Sequence, residues 1–91
     1  MKGGIKVVFS KTTEKQVLRV PKWAYFKLTE WISEVDELGL EEVRKYRGYH
    51  DEPLKGDRVG VGSIRLNRSY RAIYGVRMGF IVIEEVTKHV Y

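Results

Sequence analysis

The stretch VGVGSIRL (59–66), NR (67–68), SYRAIYGVR (69–77), MG (78–79) and FIVIEEVT (80–87) decides the fold. Its β-branched and aromatic residues fall into three blocks joined by two-residue connections, which predicts three strands in a consecutive antiparallel meander. Just upstream, RGYHDEPLKGDR (47–58) carries two glycines and one proline among polar side chains and reads as a loop. Before it, Ala24, Leu28, Trp31, Val35 and Leu38 recur at alternating spacings of four and three, which places all five on one face of a helix beginning at Lys22 and ending at Gly39. Tyr25 and Ile32 widen that stripe, as expected for a helix lying flat on a sheet. Leu40 to Tyr46 adds a further helical turn or two. At the start, Ile5 to Phe9 suits a strand, Ser10 an N-cap, and residues 11–19 a short helix closed by Pro21. The prediction is one α+β domain over residues 1–91: an N-terminal strand, two to three helices, then the meander, completing a sheet with helices on one face and the other face free.

A chain of 91 residues, 43% hydrophobic and 32% charged, can bury one core but leaves no room for a second, so a multidomain enzyme is excluded. It has no cysteine, which removes disulfide frameworks, thiolate zinc sites and cysteine nucleophiles. Residues 1–9 are too short and too broken by Lys2, Gly3, Gly4 and Lys6 for a secretion signal or a membrane span, so a soluble, cytoplasmic protein without membrane partners is expected. The net charge of +5 is unevenly spread: residues 1–33 and 58–91 are basic, and residues 34–57 are acidic. If the basic ends fold together they form one positive face, and nucleic acid becomes the leading partner class. A solvated charged surface is the plainer alternative.

Arg65, Arg71 and Arg77 lie on predicted strands, and the planar guanidinium fork suits a phosphate. Arg71 sits centrally between Tyr70 and Ala72, where it needs an anion: a phosphate, or an internal ion pair with Glu84 or Glu85. His89 follows the last strand and can exchange protons near neutral pH. Glu52, in the loop, can act as a base, whereas His50 lacks a periodic context. Two histidines and scattered carboxylates show no metal-ligand spacing. The helical spacing of Trp23, Trp31, Tyr25 and Phe26 points to core packing for most of them. Tyr49 and Tyr91 stand in polar surroundings where an aromatic ring can stack on a base.

The segments Glu52-Pro53-Leu54-Lys55-Gly56-Asp57, Ser63-Ile64-Arg65-Leu66, Tyr70-Arg71-Ala72-Ile73-Tyr74 and Val86-Thr87-Lys88-His89-Val90-Tyr91, in this order of elements, resemble the RelE/ParE superfamily of bacterial type II toxins, nearest its YoeB and HigB-like branches. The resemblance implies a RelE-like fold and a ribosome-dependent endoribonuclease that cuts mRNA in the ribosomal A site and is neutralised by a cognate antitoxin. By similarity, Glu52 is the general base, Arg71 stabilises charge on the scissile phosphate, and His89 is the general acid. Lys55, Arg58, Arg65, Lys88 and Tyr91 would hold RNA. This set implies transesterification to a 2′,3′-cyclic phosphate with no metal or other cofactor. In the YoeB ending a tyrosine directly follows the histidine, whereas here Val90 intervenes before Tyr91. The alternative within the superfamily is a ParE-like toxin that inhibits DNA gyrase without nuclease activity. A plain RNA-binding domain is a third reading, and the oligomeric state stays open.

Overall fold

The computed structural model describes residues 6–53 and 60–88. The elements run β1 (Lys6–Phe9), α1 (Lys11–Gln16), α2 (Lys22–Leu38), α3 (Leu40–Val43), a 3-10 turn (Arg47–Tyr49), β2 (Glu52–Pro53), β3 (Val61–Arg65), β4 (Tyr70–Arg77) and β5 (Phe80–Lys88). The strands form one mixed sheet in the order β1-β5-β4-β3-β2, with β1 parallel to β5 and the other pairs antiparallel. The α+β architecture and the meander match the sequence expectation. No helix among the described residues is long and apolar enough to cross a membrane.

The periodicity of α2 explains its packing. Ala24, Leu28, Trp31 and Val35 are buried, and with Ile64, Ala72, Tyr74, Ile81, Ile83 and Val86 from the sheet they form the core. Trp31 lies against Tyr74, ring centroids 5.3 Å apart. Truncating an aromatic so fully enclosed costs about 3–5 kcal/mol. Gly39 ends α2 at φ 88°, a left-handed backbone that favours glycine, while its N–H donates to Val35 O at 2.8 Å.

Several local expectations change. Helix α1 stops at Gln16 rather than residue 19, because Leu18 and Arg19 N–H tighten onto Lys15 O and Gln16 O ahead of Pro21. The segment expected to be loop contains the 3-10 turn and the two-residue strand β2, whose Glu52 and Pro53 pair with Ser63 and Gly62. Of the four aromatics whose spacing points mostly to core packing, Trp31 is enclosed but Trp23, Tyr25 and Phe26 are exposed. They flank Ala24 on the first turns of α2 but point off the face that buries Ala24 and Leu28, with Trp23 edge-on to Tyr70 at 5.8 Å.

Beyond Phe9, side chains of α1 take over the edge of β5. Thr13 Oγ1 donates to Ile83 O at 2.6 Å, Ser10 Oγ donates to Glu84 O at 2.9 Å, and Val86 N–H donates to Gln16 Oε1 at 2.6 Å. These bonds surround a bulge: Ile73 pairs with Glu85 but Tyr74 pairs with Ile83, leaving Glu84 as the extra residue. Thr13 is therefore buried for its hydroxyl rather than for helix propensity.

Candidate functional site

Opposed residues on paired strands share a face, and side chains alternate along each strand. Ile64, Ala72 and Val86 face the helices, so Arg65, Arg71 and Thr87 form a row on the other face, where Arg65 pairs with Arg71 and Arg71 with Thr87. The neighbouring row runs Glu52, Ser63, Ile73 and Glu85. Glu52 and Arg71 thus stand on one face, in adjacent rows on either side of β3. Arg71 Nη1 reaches Ser63 Oγ at 3.4 Å, a long and weak contact.

Two arginines directly opposite each other repel, and the half-buried surroundings reduce their solvation. Among the described residues no carboxylate comes within ion-pair distance of either. Glu84, one of the two partners considered for Arg71, instead pairs with Arg77 at 2.8 Å. The bulge explains this, because it shifts Glu84 out of the alternation that holds farther along β5. Arg65 and Arg71 therefore make a cationic pair suited to an anion, with the Ser63 hydroxyl beside it.

Glu52 is half-exposed, and its Oε1 lies 2.8 Å from His50 Nε2. His50 leads into the extended Glu52 from a left-handed φ of 50° at the end of the 3-10 turn, and this reversal brings the two side chains together. A cleft of ≈ 360 Å³ opens here, lined by Arg44, Lys45, Tyr46 and Arg47 as well as residues 50–52. Below it, Tyr74 Oη donates to Asp51 Oδ1 at 2.8 Å and Arg44 Nε donates to Tyr74 Oη at 3.3 Å. Burial pushes the Asp51 carboxyl up, against the lowering effects of the Tyr74 hydrogen bond and the Arg44 charge. Burial likewise raises the Tyr74 phenol to about 12.

The other sequence-selected residues fall in different places. Lys88 is exposed opposite Tyr70 and belongs to the helix-side register, away from Arg71. Lys55, Arg58, His89 and Tyr91 lie outside the described residues. Tyr49, expected as a stacking ring, is buried: its hydroxyl donates to Glu34 Oε1 at 3.0 Å, and Lys27 Nζ sits 4.8 Å from its ring centroid. Burial and the neighbouring carboxylates push its phenol up. Three participants went unassigned in the sequence, namely His50, Ser63 and Tyr74. The His50-x-Glu52 spacing was the available signal for the first, and the quoted motifs contain the other two without showing their contacts.

No protein-family model and no curated protein matches the sequence. Solved structures do. The chain is similar to YafQ in the E. coli DinJ-YafQ toxin-antitoxin complex, with a TM-score of 0.76 at 18% identity over 94% of this chain and 93% of that one. It is also similar to YoeB from the Staphylococcus aureus YoeB dimer, with a TM-score of 0.70 at 24% identity over 97% and 99%. A chain of the Mycobacterium tuberculosis toxin-antitoxin complex RelBE2 matches with a TM-score of 0.66 at 19% identity over 94% and 99%. The class defined is the RelE-like α+β fold. Within it, this chain has the architecture shared by YafQ and YoeB, as the sequence resemblance implied.

Proposed function

We propose that this protein is the toxin of a type II toxin-antitoxin pair and acts as a ribosome-dependent mRNA endoribonuclease. The observation that carries the reading is the Arg65–Arg71 pair, without a carboxylate partner among the described residues and on the same sheet face as Glu52. Glu52 takes the proton from a ribose 2′-hydroxyl, and the resulting oxygen attacks the adjacent phosphorus. Arg71, with Arg65, stabilises the charge that grows on the phosphoryl oxygens. The bond from phosphorus to the 5′-oxygen breaks, His89 protonates that oxygen, and a 2′,3′-cyclic phosphate remains. No metal or cofactor enters the step. Lys55, Arg58 and Tyr91 hold the RNA on either side, whereas Lys88 stands in the helix-side register and takes no part at the phosphate. The toxin's partner is an antitoxin whose acidic segment complements the basic termini.

Primer extension on an mRNA, with the protein free or on programmed ribosomes, tests the reading. Cleavage confined to ribosomes, and lost in Arg71→Ala and His89→Ala, is the expected result. Equal cleavage by parent and both variants rejects the assigned site. Absence of cleavage together with loss of DNA supercoiling by gyrase transfers the protein to the non-nuclease, gyrase-inhibiting class.

A further inference from the structure

Residues 51 and 52 are both carboxylates, and the fold sends them to opposite sides of the sheet. Asp51 accepts the hydroxyl of Tyr74 on the helix-bearing side, whereas Glu52 holds the register position opposite Ser63 on the other. Strand β2 has two paired residues, too few for its ladder alone to fix a register. The preceding His50 lies in a left-handed conformation, so β2 inherits no phase from the turn before it. A one-residue slip would bring Asp51 to the open face and drive Glu52 into the core.

The contact that opposes this slip crosses the sheet. Tyr74 belongs to β4, and its ring reaches Asp51 by passing over Gly62 of β3. A Cβ at position 62 would stand 2.7 Å from both Cζ and Oη of Tyr74, so the route exists because residue 62 has no side chain. Arg44 Nε closes on the same hydroxyl from the helix side at 3.3 Å. With Asp51 held there, alternation turns Glu52 the other way, where it meets His50 at 2.8 Å.

We propose that Asp51 is a positioning residue: by accepting the Tyr74 hydroxyl beside Gly62, it sets the strand phase of β2 and presents Glu52, beside His50, to the RNA. The proposal rests on the ribonuclease reading above. It assigns Asp51 no contact with the reacting atoms, and it makes Tyr74 and Gly62 parts of the same device.

Two measurements on the full chain test it. Amide hydrogen exchange at Glu52 and Ser63, which face each other across β2 and β3, reads this pairing without reference to activity. Tyr74→Phe keeps the ring and removes the hydroxyl, and exchange at these amides is expected to rise about tenfold while β4 and β5 stay protected. Cleavage on programmed ribosomes should lose about tenfold in kcat for Tyr74→Phe and Asp51→Ala, with KM within about twofold. Asp51→Asn keeps an acceptor for the hydroxyl and is expected to restore both readouts to within about threefold of the parent. Unchanged exchange at the two amides in Tyr74→Phe would overturn the proposal, as would a rise spread evenly through β4 and β5. A loss in Asp51→Asn equal to that in Asp51→Ala would overturn it too, by making the charge rather than the acceptor essential. If the parent does not cleave, the ribonuclease reading falls, and the exchange result alone still decides whether Asp51 sets the phase of β2.

Discussion

The two ends of the sheet are held by different means. At the β5 end, β1 supplies four paired residues, and Ser10, Thr13 and Gln16 of α1 then continue along the same edge through side-chain hydrogen bonds. At the β2 end, two paired residues are held by the contact between Asp51 and Tyr74, and Asp51 Oδ2 is buried without a hydrogen-bond partner among the described residues. On the ribonuclease reading, the first end stabilises and the second presents chemistry. A buried polar group that is only partly satisfied is costly, and such costs persist where a geometry is required for another reason.

Substitutions should separate these roles. The largest effect is expected from Arg71→Ala, with cleavage falling by about 10²–10³. Its folding stability should change by less than about 0.5 kcal/mol, since the 3.4 Å contact with Ser63 contributes little. A urea titration beside the primer-extension assay checks both, and an equal loss of stability would place Arg71 in the structural class. The next effect concerns pH. The folded-state phenol of Tyr74 lies at about 12 against an ordinary 10. Its contribution is fully present below pH 10 and is lost as pH rises through 12, a difference of roughly 2–3 kcal/mol when complete. The urea midpoint of the parent should therefore fall more steeply from pH 10 to 12 than that of Tyr74→Phe, and parallel curves would refute the assignment.

Thr13→Val tests the opposite end. It removes one of two donors to Ile83 O, the other being Ser10 N–H at 3.0 Å, and should cost about 0.5–1.5 kcal/mol in thermal or urea unfolding, while kcat per folded molecule stays at the parent value. A fall in kcat without a fall in stability would break the division between the ends. The smallest effect is predicted for Lys45→Ala, whose ion pair with Glu42 is solvent-exposed, so unfolding should move by less than about 0.5 kcal/mol. A salt-dependent drop in RNA affinity for this variant would sharpen the comparison by extending the substrate surface along the cleft toward α3.

What the sequence made legible is what repeats. The four-and-three spacing through Ala24, Leu28, Trp31 and Val35 identified the buried face of α2, and the punctuated apolar blocks identified β3 to β5. Strand β2 was not legible, because two residues carry no periodicity. Tyr49 was misleading and Thr13 silent for a related reason: each is buried to complete a hydrogen bond with residues distant in sequence, which no local pattern encodes. Arg71 could not be separated from an ion pair with Glu84 in the sequence, since simple alternation along β5 omits the bulge that carries Glu84 to Arg77. Glu52 and Arg71 were legible as residues, and their shared face required the strand register.

The passage of Tyr74 over Gly62 also bears on how such a chain can change through descent. While the tyrosine stays, position 62 has no room for any side chain, and position 51 must keep an oxygen acceptor. Once the tyrosine is replaced by a smaller residue, both constraints lapse together. Among diverging copies of this gene, positions 51, 62 and 74 are therefore expected to vary as a linked set, while the exposed residues of α2 drift independently.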